Sequence, residues 1–430
     1  MRRSSTLAFI GIAATAALAL SGCGLGASPE ADTDASGDIE GTIRFQTMQL
    51  SPTFDDYING VIADFEKEYP GTTVEWVDIP SDQAARKVSA DSAAGELADV
   101  LDLDAATLAP LGRDGRVLDM AEHAADLEDS YVESAWQSFD YGKTKVTALP
   151  WYLNSPVLLS NQALLDTAGD PVTPTSYLEL LDVSQEIAES TGKAGFQPTS
   201  IGFPNYLLSI GVPLVNEDST EAVVNTPEAV EFVEKLAELY KSGGIPKDSI
   251  TAAQRSEIDT FGQGDTAYLE TGPSRLKIIS ENAPQVFEQI SIDKPLGAAD
   301  STTWIVAHGL AVPKASKNPA TALAFAKYLT SAEAQLALAE QSSVFPSAVD
   351  ALEDDFFSAE PTDLATEARG IVASSLFDGG TMPKPPAVDA EFATLLWSSV
   401  QTAITGETPA AEALEVAEAQ LTDLLKSRVQ

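Results

Sequence analysis

Apolar residues at Phe54, Tyr57, Ile58, Val61, Ile62 and Phe65 are spaced 3, 1, 3, 1 and 3 apart, which lines them along one face of a helix. The segment before them, Thr42 to Met48, reads as a strand. Pro70-Gly71 closes the helix, and Thr73 to Ile79 (TVEWVDI) reads as a second strand. A helical stretch through Ala84, Arg86 and Val88 leads to a third strand at Asp99 to Leu103. Strands alternating with helices predict an α/β fold with a parallel sheet. In such sheets the ligand crevice lies beyond the carboxyl ends of the strands, which places Gln46 to Gln49, Pro80 to Asp82 and Asp102 to Asp104 at a mouth.

Later segments are mainly helical and well punctuated. Ser176-x-x-Glu179 forms a capping box, and Thr226-Pro227-Glu228 combines an N-cap, a proline at the first helical position and an acid in the first turn. Asn318-Pro319 predicts another such start, with Ala322, Phe325, Ala326 and Leu329 on the buried face. A helix near Val388 uses Phe392, Leu395, Leu396 and Ala403, while Gly243-Gly244 and Gly406 supply stops. No internal repeat is present.

The amino terminus has a different pattern. Arg2 and Arg3 precede an apolar run from Leu7 to Leu20, a length that fits the core of a signal peptide and is short for a membrane span. Leu20-Ser21-Gly22-Cys23 resembles the bacterial lipobox, in which the cysteine is lipidated and becomes the first mature residue. Cys23 is the only cysteine of the chain. Residues 1–22 are thus expected to be a signal peptide. Residues 23–38, small, polar and acidic, are expected to be the lipidated cysteine and a flexible tether. No later stretch reaches 18 apolar residues, so anchoring is expected through lipid, at the outer face of the cytoplasmic membrane.

Charge and composition narrow the function. The 430 residues allow two or three domains, and 44% apolar and 21% charged residues fit a folded protein. With 25 Lys plus Arg against 65 Asp plus Glu, the net charge of -40 repels phosphate backbones, which argues against nucleic acid as a partner. One cysteine and two histidines offer no disulfide and no tetrahedral zinc site, so no metal or cofactor is expected. Gly142-Lys143-Thr144 lacks the glycine of a phosphate-binding loop, and neither His-Glu-x-x-His nor Gly-x-Ser-x-Gly occurs. A surface glycoside hydrolase stays open as an alternative, because 65 acids guarantee accidental carboxylate pairs.

Several segments, taken in order, resemble the family 1 extracellular solute-binding proteins of ATP-binding-cassette (ABC) importers, the maltose-binding-protein-like group. They include Phe65-Glu66-Lys67-Glu68-Tyr69-Pro70-Gly71, Ala98-Asp99-Val100, Gly115-Arg116-Val117-Leu118-Asp119 and Ala148-Leu149-Pro150 with Asn161-Gln162. Pro174-Thr175-Ser176-Tyr177, Thr226 to Val230, Phe261 to Ala267 with Gly272-Pro273, and Leu310-Ala311-Val312-Pro313-Lys314 continue the series. The resemblance implies a two-lobed periplasmic-binding-protein-like fold with a hinge and an interlobe ligand cleft. Lobe one would hold 39–149 and 302–348, and lobe two 150–300 and 349–430. It further implies a monomeric, non-enzymatic binding protein that captures a carbohydrate, an oligosaccharide above all, and delivers it to permease subunits. A polyamine or other polar cation is the alternative ligand.

The same resemblance implies site residues. Trp151, Tyr152 and Asn154 follow the Ala-Leu-Pro hinge motif, where the family clusters ligand contacts; packing within the hinge is the other reading of Trp151. Glu270 falls in a cleft-facing loop, although the tryptophan that often follows Gly-Pro is Ser274 here. Trp304 could replace that platform or pack in a core, and His308 fits a structural role better than a ligand contact. Tyr206, with Phe203 and Asn205, opens a helix that faces the cleft in relatives, and Met382-Pro383 matches a late cleft loop. Gln46 and Asp104 come from the predicted mouth. Aromatic faces for C–H surfaces and amide or carboxylate groups for hydroxyls are what a sugar site requires.

Overall fold

The computed structural model describes residues 35–141, 144–250, 256–297, 303–377 and 381–429. Strand β1 (Gly41–Met48) leads into a helix at Asp55–Glu68 that buries Tyr57, Ile58, Ile62 and Phe65, the face the apolar spacing predicts. Strand β2 (Thr72–Ile79), a helix at Ser81–Ala94 and strand β3 (Val100–Asp104) follow. β1 lies between β2 and β3 and is parallel to both. Asp104 ends β3 by capping the next helix, Ala105–Arg113, its carboxylate accepting from the Thr107 N–H at 2.9 Å.

The remaining strands are β4 (Leu149–Asn154), β5 (Val157–Asn161), β6 (Leu214–Val215), β7 (Ala222–Val223), β8 (Tyr268–Thr271), β9 (Ile290–Asp293), β10 (Thr303–Ala311), β11 (Phe345–Pro346) and β12 (Thr381–Pro383). One sheet has the order β11-β4-β10-β3-β1-β2, with β12 alongside the start of β10. It is mixed rather than parallel, because β10 runs antiparallel to both β3 and β4. A strand returning from a distant part of the chain is free of the βαβ crossover that makes sequential neighbours parallel.

A second sheet, β8-β5-β9, is antiparallel. Val157, Leu159, Leu269, Ile290 and Ile292 belong to a core that also takes in Leu276, Ile279 and the helix at Leu364–Phe377. Leu158 and Tyr268 belong to the other core, with the helices Tyr177–Thr191, Pro227–Ser242, Ala390–Ile404 and Ala410–Val429. Only Ser155 and Pro156 separate β4 from β5, so the chain changes sheets there. The expected boundary at 149/150 falls instead at the head of a first-sheet strand. Pro150 suggests a break, yet it sits opposite Gly309 at a register shift, where its missing N–H is tolerated.

Candidate functional site

The exposed face of β10 locates the site. Trp304, Val306 and His308 keep partial exposure, whereas Ile305, Ala307 and Gly309 are buried, as alternation along a strand demands. Trp304 and Val306 help line a cavity of about 670 Å³ beside the β4–β5 crossing, against strand β8 of the second sheet. Its rings come from Tyr177, Phe196, Tyr206, Tyr268 and Trp304, and its polar groups from Asn154, Asn205, Glu257, Glu270 and Arg275.

These side chains are held from beneath. Tyr177 is the first residue of a helix capped by Ser176, whose hydroxyl accepts from the Glu179 N–H at 3.3 Å, so the capping box that the sequence displays also positions an aromatic ring. The Tyr177 ring lies 4.5 Å from that of Tyr206, and its hydroxyl donates to Glu270. The other Glu270 oxygen accepts from the Leu296 N–H at 2.9 Å. Burial pushes the Glu270 carboxyl up to about 7, with these two donors holding it back. The Tyr206 hydroxyl accepts from the Thr199 N–H at 3.4 Å. Asn205 and Tyr268 are buried, and the Asn205 Oδ1 and the Tyr268 hydroxyl have no partner within the protein.

A second cavity of about 710 Å³ lies across β10, where Ile305 and Ala307 point, and touches Val306 as well. Its walls are the helices Ser81–Ala94 and Ala105–Arg113 and the segment from Lys384 to Glu391, where small apolar side chains mix with charged ones such as Arg113, Arg116, Lys384 and Asp389 and no aromatic ring is present. A third hollow, of about 530 Å³, opens at the carboxyl ends of β1 and β2 among Gln49, Ser51, Trp76, Asp78 and Pro80. Among the described residues no group of three or more His, Cys, Asp or Glu side chains could hold a metal ion.

The structure thus brings Asn154, Glu270, Trp304, Asn205 and Tyr206 together around one cavity and puts Trp151, Tyr152, Gln46, Asp104 and Phe203 outside its lining. Trp151 is fully buried, edge-on to Phe45 and Tyr152 at 6.1 and 5.1 Å. Tyr152 pairs with His308 and Pro150 with Gly309, which leaves Trp151 as the extra residue of a bulge, and the bulge aims its ring into the core. Tyr152 is buried as well. Its ring stacks on His308 at 4.5 Å, and its hydroxyl is 2.8 Å from the His308 Nδ1, itself 3.1 Å from an Asp102 oxygen. Burial alone would lower the His308 pKa, but the adjacent Asp102 carboxylate more than offsets it and the value is raised. Gln46 is buried beneath the mouth, Asp104 caps its helix and lines the second cavity, and Phe203 is a core residue. Cys23 lies outside the described residues. Tyr177 and Tyr268, together with Phe196, Glu257 and Arg275, are lining residues that sequence reasoning missed.

A mixed α/β chain with two sheets, a crossing between them and a ring-lined cavity beside that crossing has the architecture of a two-lobed ligand-binding protein. Residues 51–336 match the model of the bacterial extracellular solute-binding proteins, and the chain belongs to that family. A solved structure from Synechococcus sp. MITs9220, provisionally assigned as an oligosaccharide periplasmic-binding protein, superposes with a TM-score of 0.80 at 27% identity, covering 90% of this chain and 99% of the other. A provisionally assigned binding protein of Brucella abortus (strain 2308) is 26% identical over 264 residues, 59% of this chain and 63% of that protein, so the match spans less than two thirds of that relative. A Deinococcus radiodurans protein, provisionally assigned as ABC transporter-binding, is 24% identical over 328 residues, 71% of this chain and 76% of its own.

Proposed function

We propose that this protein captures a carbohydrate, an oligosaccharide above all, between its two lobes and presents it to the permease of an ABC importer. The carrying observation is the composition of the 670 Å³ cavity, where five aromatic rings stand beside mainly neutral hydrogen-bonding groups. The unpartnered Asn205 oxygen accepts, and the Tyr268 hydroxyl can donate or accept. Sugar hydroxyls both donate and accept and so match a lining of amide, hydroxyl and carboxyl groups. The buried Glu270 carboxylate is already taken by Tyr177 and Leu296, and Arg275 offsets the charge of Glu257, so the lining holds no surplus of free carboxylate for a polyamine. The oligosaccharide assignment of the Synechococcus protein supports the same reading.

The lobes we assign meet at Ser155-Pro156 and again along β10, and they close over ligand by rotation there. The protein works outside the cytoplasm, tethered by lipid on Cys23 after removal of residues 1–22. It acts as a monomer and leaves its ligand chemically unchanged.

A thermal-shift and calorimetric panel of mono- and oligosaccharides tests this directly, since a bound ligand raises apparent stability by mass action. A saccharide should bind with an affinity indifferent to salt and be recovered intact. Binding confined to polyamines and collapsing with added salt, or cleavage of the sugar, overturns the reading. Metabolic labelling with a fatty acid should mark the wild-type chain and not Cys23→Ser.

A further inference from the structure

The second cavity, about 710 Å³ in volume, gathers cations in a chain that has few of them. Arg113, Arg116 and Lys384 line it and Arg428 pairs with Asp389 and Glu391 of its wall, so 4 of the 25 Lys and Arg residues meet here. The chain as a whole carries -40, yet these cations equal the lining carboxylates in number.

Those carboxylates are all occupied. Asp104 takes the Thr107 N–H and hydroxyl, each at 2.9 Å, and Asp114 takes Arg113 and Arg116 at 3.5 and 3.8 Å. Asp389 accepts from the Phe392 N–H at 2.9 Å and from Arg428 at 2.8 Å, and Glu391 accepts from Arg428 at 3.1 Å. Lys384 is the exception. Its ammonium makes no hydrogen bond or ion pair with any described residue, although it is half-buried and close enough to Asp389 and Asp104 for their charges to act on it. Burial lowers its pKa more than those two charges raise it. A cation drawn out of water without a partner costs stability, and an anion beside it removes that cost.

Two further features favour the same sign of ligand. Ala105 and Ala106 open the helix Ala105–Arg113, and Ala390 and Glu391 open the helix Ala390–Ile404; all four line the cavity and bring the positive ends of two helix dipoles to it. Arg113 adds a guanidinium whose terminal nitrogens bond no described residue. The body attached to the anion is read from the rest of the wall, where Ala85, Val88, Ile305, Pro385 and Val388 are apolar. A bare inorganic anion leaves most of this volume unfilled, whereas an organic acid sets an aliphatic body against those side chains.

We propose that this cavity is a second ligand site, which binds a small aliphatic organic acid by pairing its carboxylate with Lys384. Of the residues lining the ring-lined cavity only Val306 is shared, so the two readings stand or fall separately.

The test is titration calorimetry with succinate, glutarate, citrate and inorganic phosphate, in a buffer free of other multivalent anions, on wild type, Lys384→Met and Lys384→Arg. At least one of the three carboxylates should bind, with an affinity that falls as salt is added. Lys384→Met keeps the aliphatic stem without the charge and should lose about tenfold or more, while Lys384→Arg should stay within about threefold. Saccharide affinity, measured without added acid, should be unchanged in both variants. Should Lys384→Met fail to fold, Lys384→Gln decides the matter by the same comparison. Binding of no carboxylate, binding of phosphate alone, or carboxylate binding that survives Lys384→Met overturns the site. An equal loss of saccharide binding in Lys384→Met overturns its separateness from the ring-lined cavity. A wild type that binds carboxylate and no saccharide upholds this site and overturns the carbohydrate reading alone.

Discussion

At the scale of single residues, the site separates groups that line the cavity from groups that hold those groups in place. Trp151 belongs to neither, and its replacement by alanine should cost about 3–5 kcal/mol of stability in urea denaturation, as expected for a large aromatic removed from a core. The affinity of the folded protein for its saccharide should stay within about twofold. Glu270 makes a different prediction. Its carboxyl is raised to about 7 from an ordinary value of 4.5, so between those limits the folded chain holds a proton that the unfolded chain releases. Stability should therefore fall as pH rises from 4.5 to 7, and Glu270→Gln should flatten melting temperature against pH in that window. Some slope should persist, because burial also raises Asp293. Asn154, Glu270, Trp304 and Tyr206 were legible because their neighbours carry family motifs. Trp151 misled because a bulge reverses the direction of a side chain while leaving no trace in the spacing of apolar residues. Tyr177 and Tyr268 stayed hidden because each sits within a pattern that a helix start or a strand already explains.

Among the elements, β10 carries the most. It joins β3 to β4, pairs with β12 and separates the ring-lined cavity from the one that has no aromatic ring. Gly309 is the close-approach point: a Cβ there would meet the Phe139 ring at 2.6 Å and the Ala148 Cβ at 2.9 Å. Gly309→Ala should cost about 1–3 kcal/mol in urea denaturation, because both neighbours are buried and neither has room to withdraw. Local signals in the sequence predicted helices well. Ser176, Thr226 and Asp389 each accept from a first-turn N–H, and Gly243 and Gly406 adopt positive φ after their helices. Asn318 was read as a cap, but its amide instead donates to the Thr42 carbonyl at 2.8 Å, tying a helix start to β1. Contacts of that kind, like the antiparallel placement of β10, depend on which distant segments meet, and no local pattern encodes that.

For the whole molecule, the net charge of -40 keeps the chain soluble and repels anionic partners, yet the cavity is lined mainly by neutral groups. Surface charge and ligand choice are thus separable, and neutralising exposed acids far from the cavity should leave saccharide affinity unchanged in calorimetry. Ligand at about 100 times its Kd should add about 2.7 kcal/mol to unfolding, and small-angle scattering should register a smaller radius of gyration as the lobes close. The place of β10 between β3 and β4 also has a consequence in time. A chain emerging from the ribosome has made β1 to β4 long before β10, so until then β3 and β4 each present an unpaired edge and the first sheet cannot close. Such long-range pairing slows folding. For a member of an extracellular family this delay is useful, because the first sheet cannot lock before the segment that carries β10 has been made.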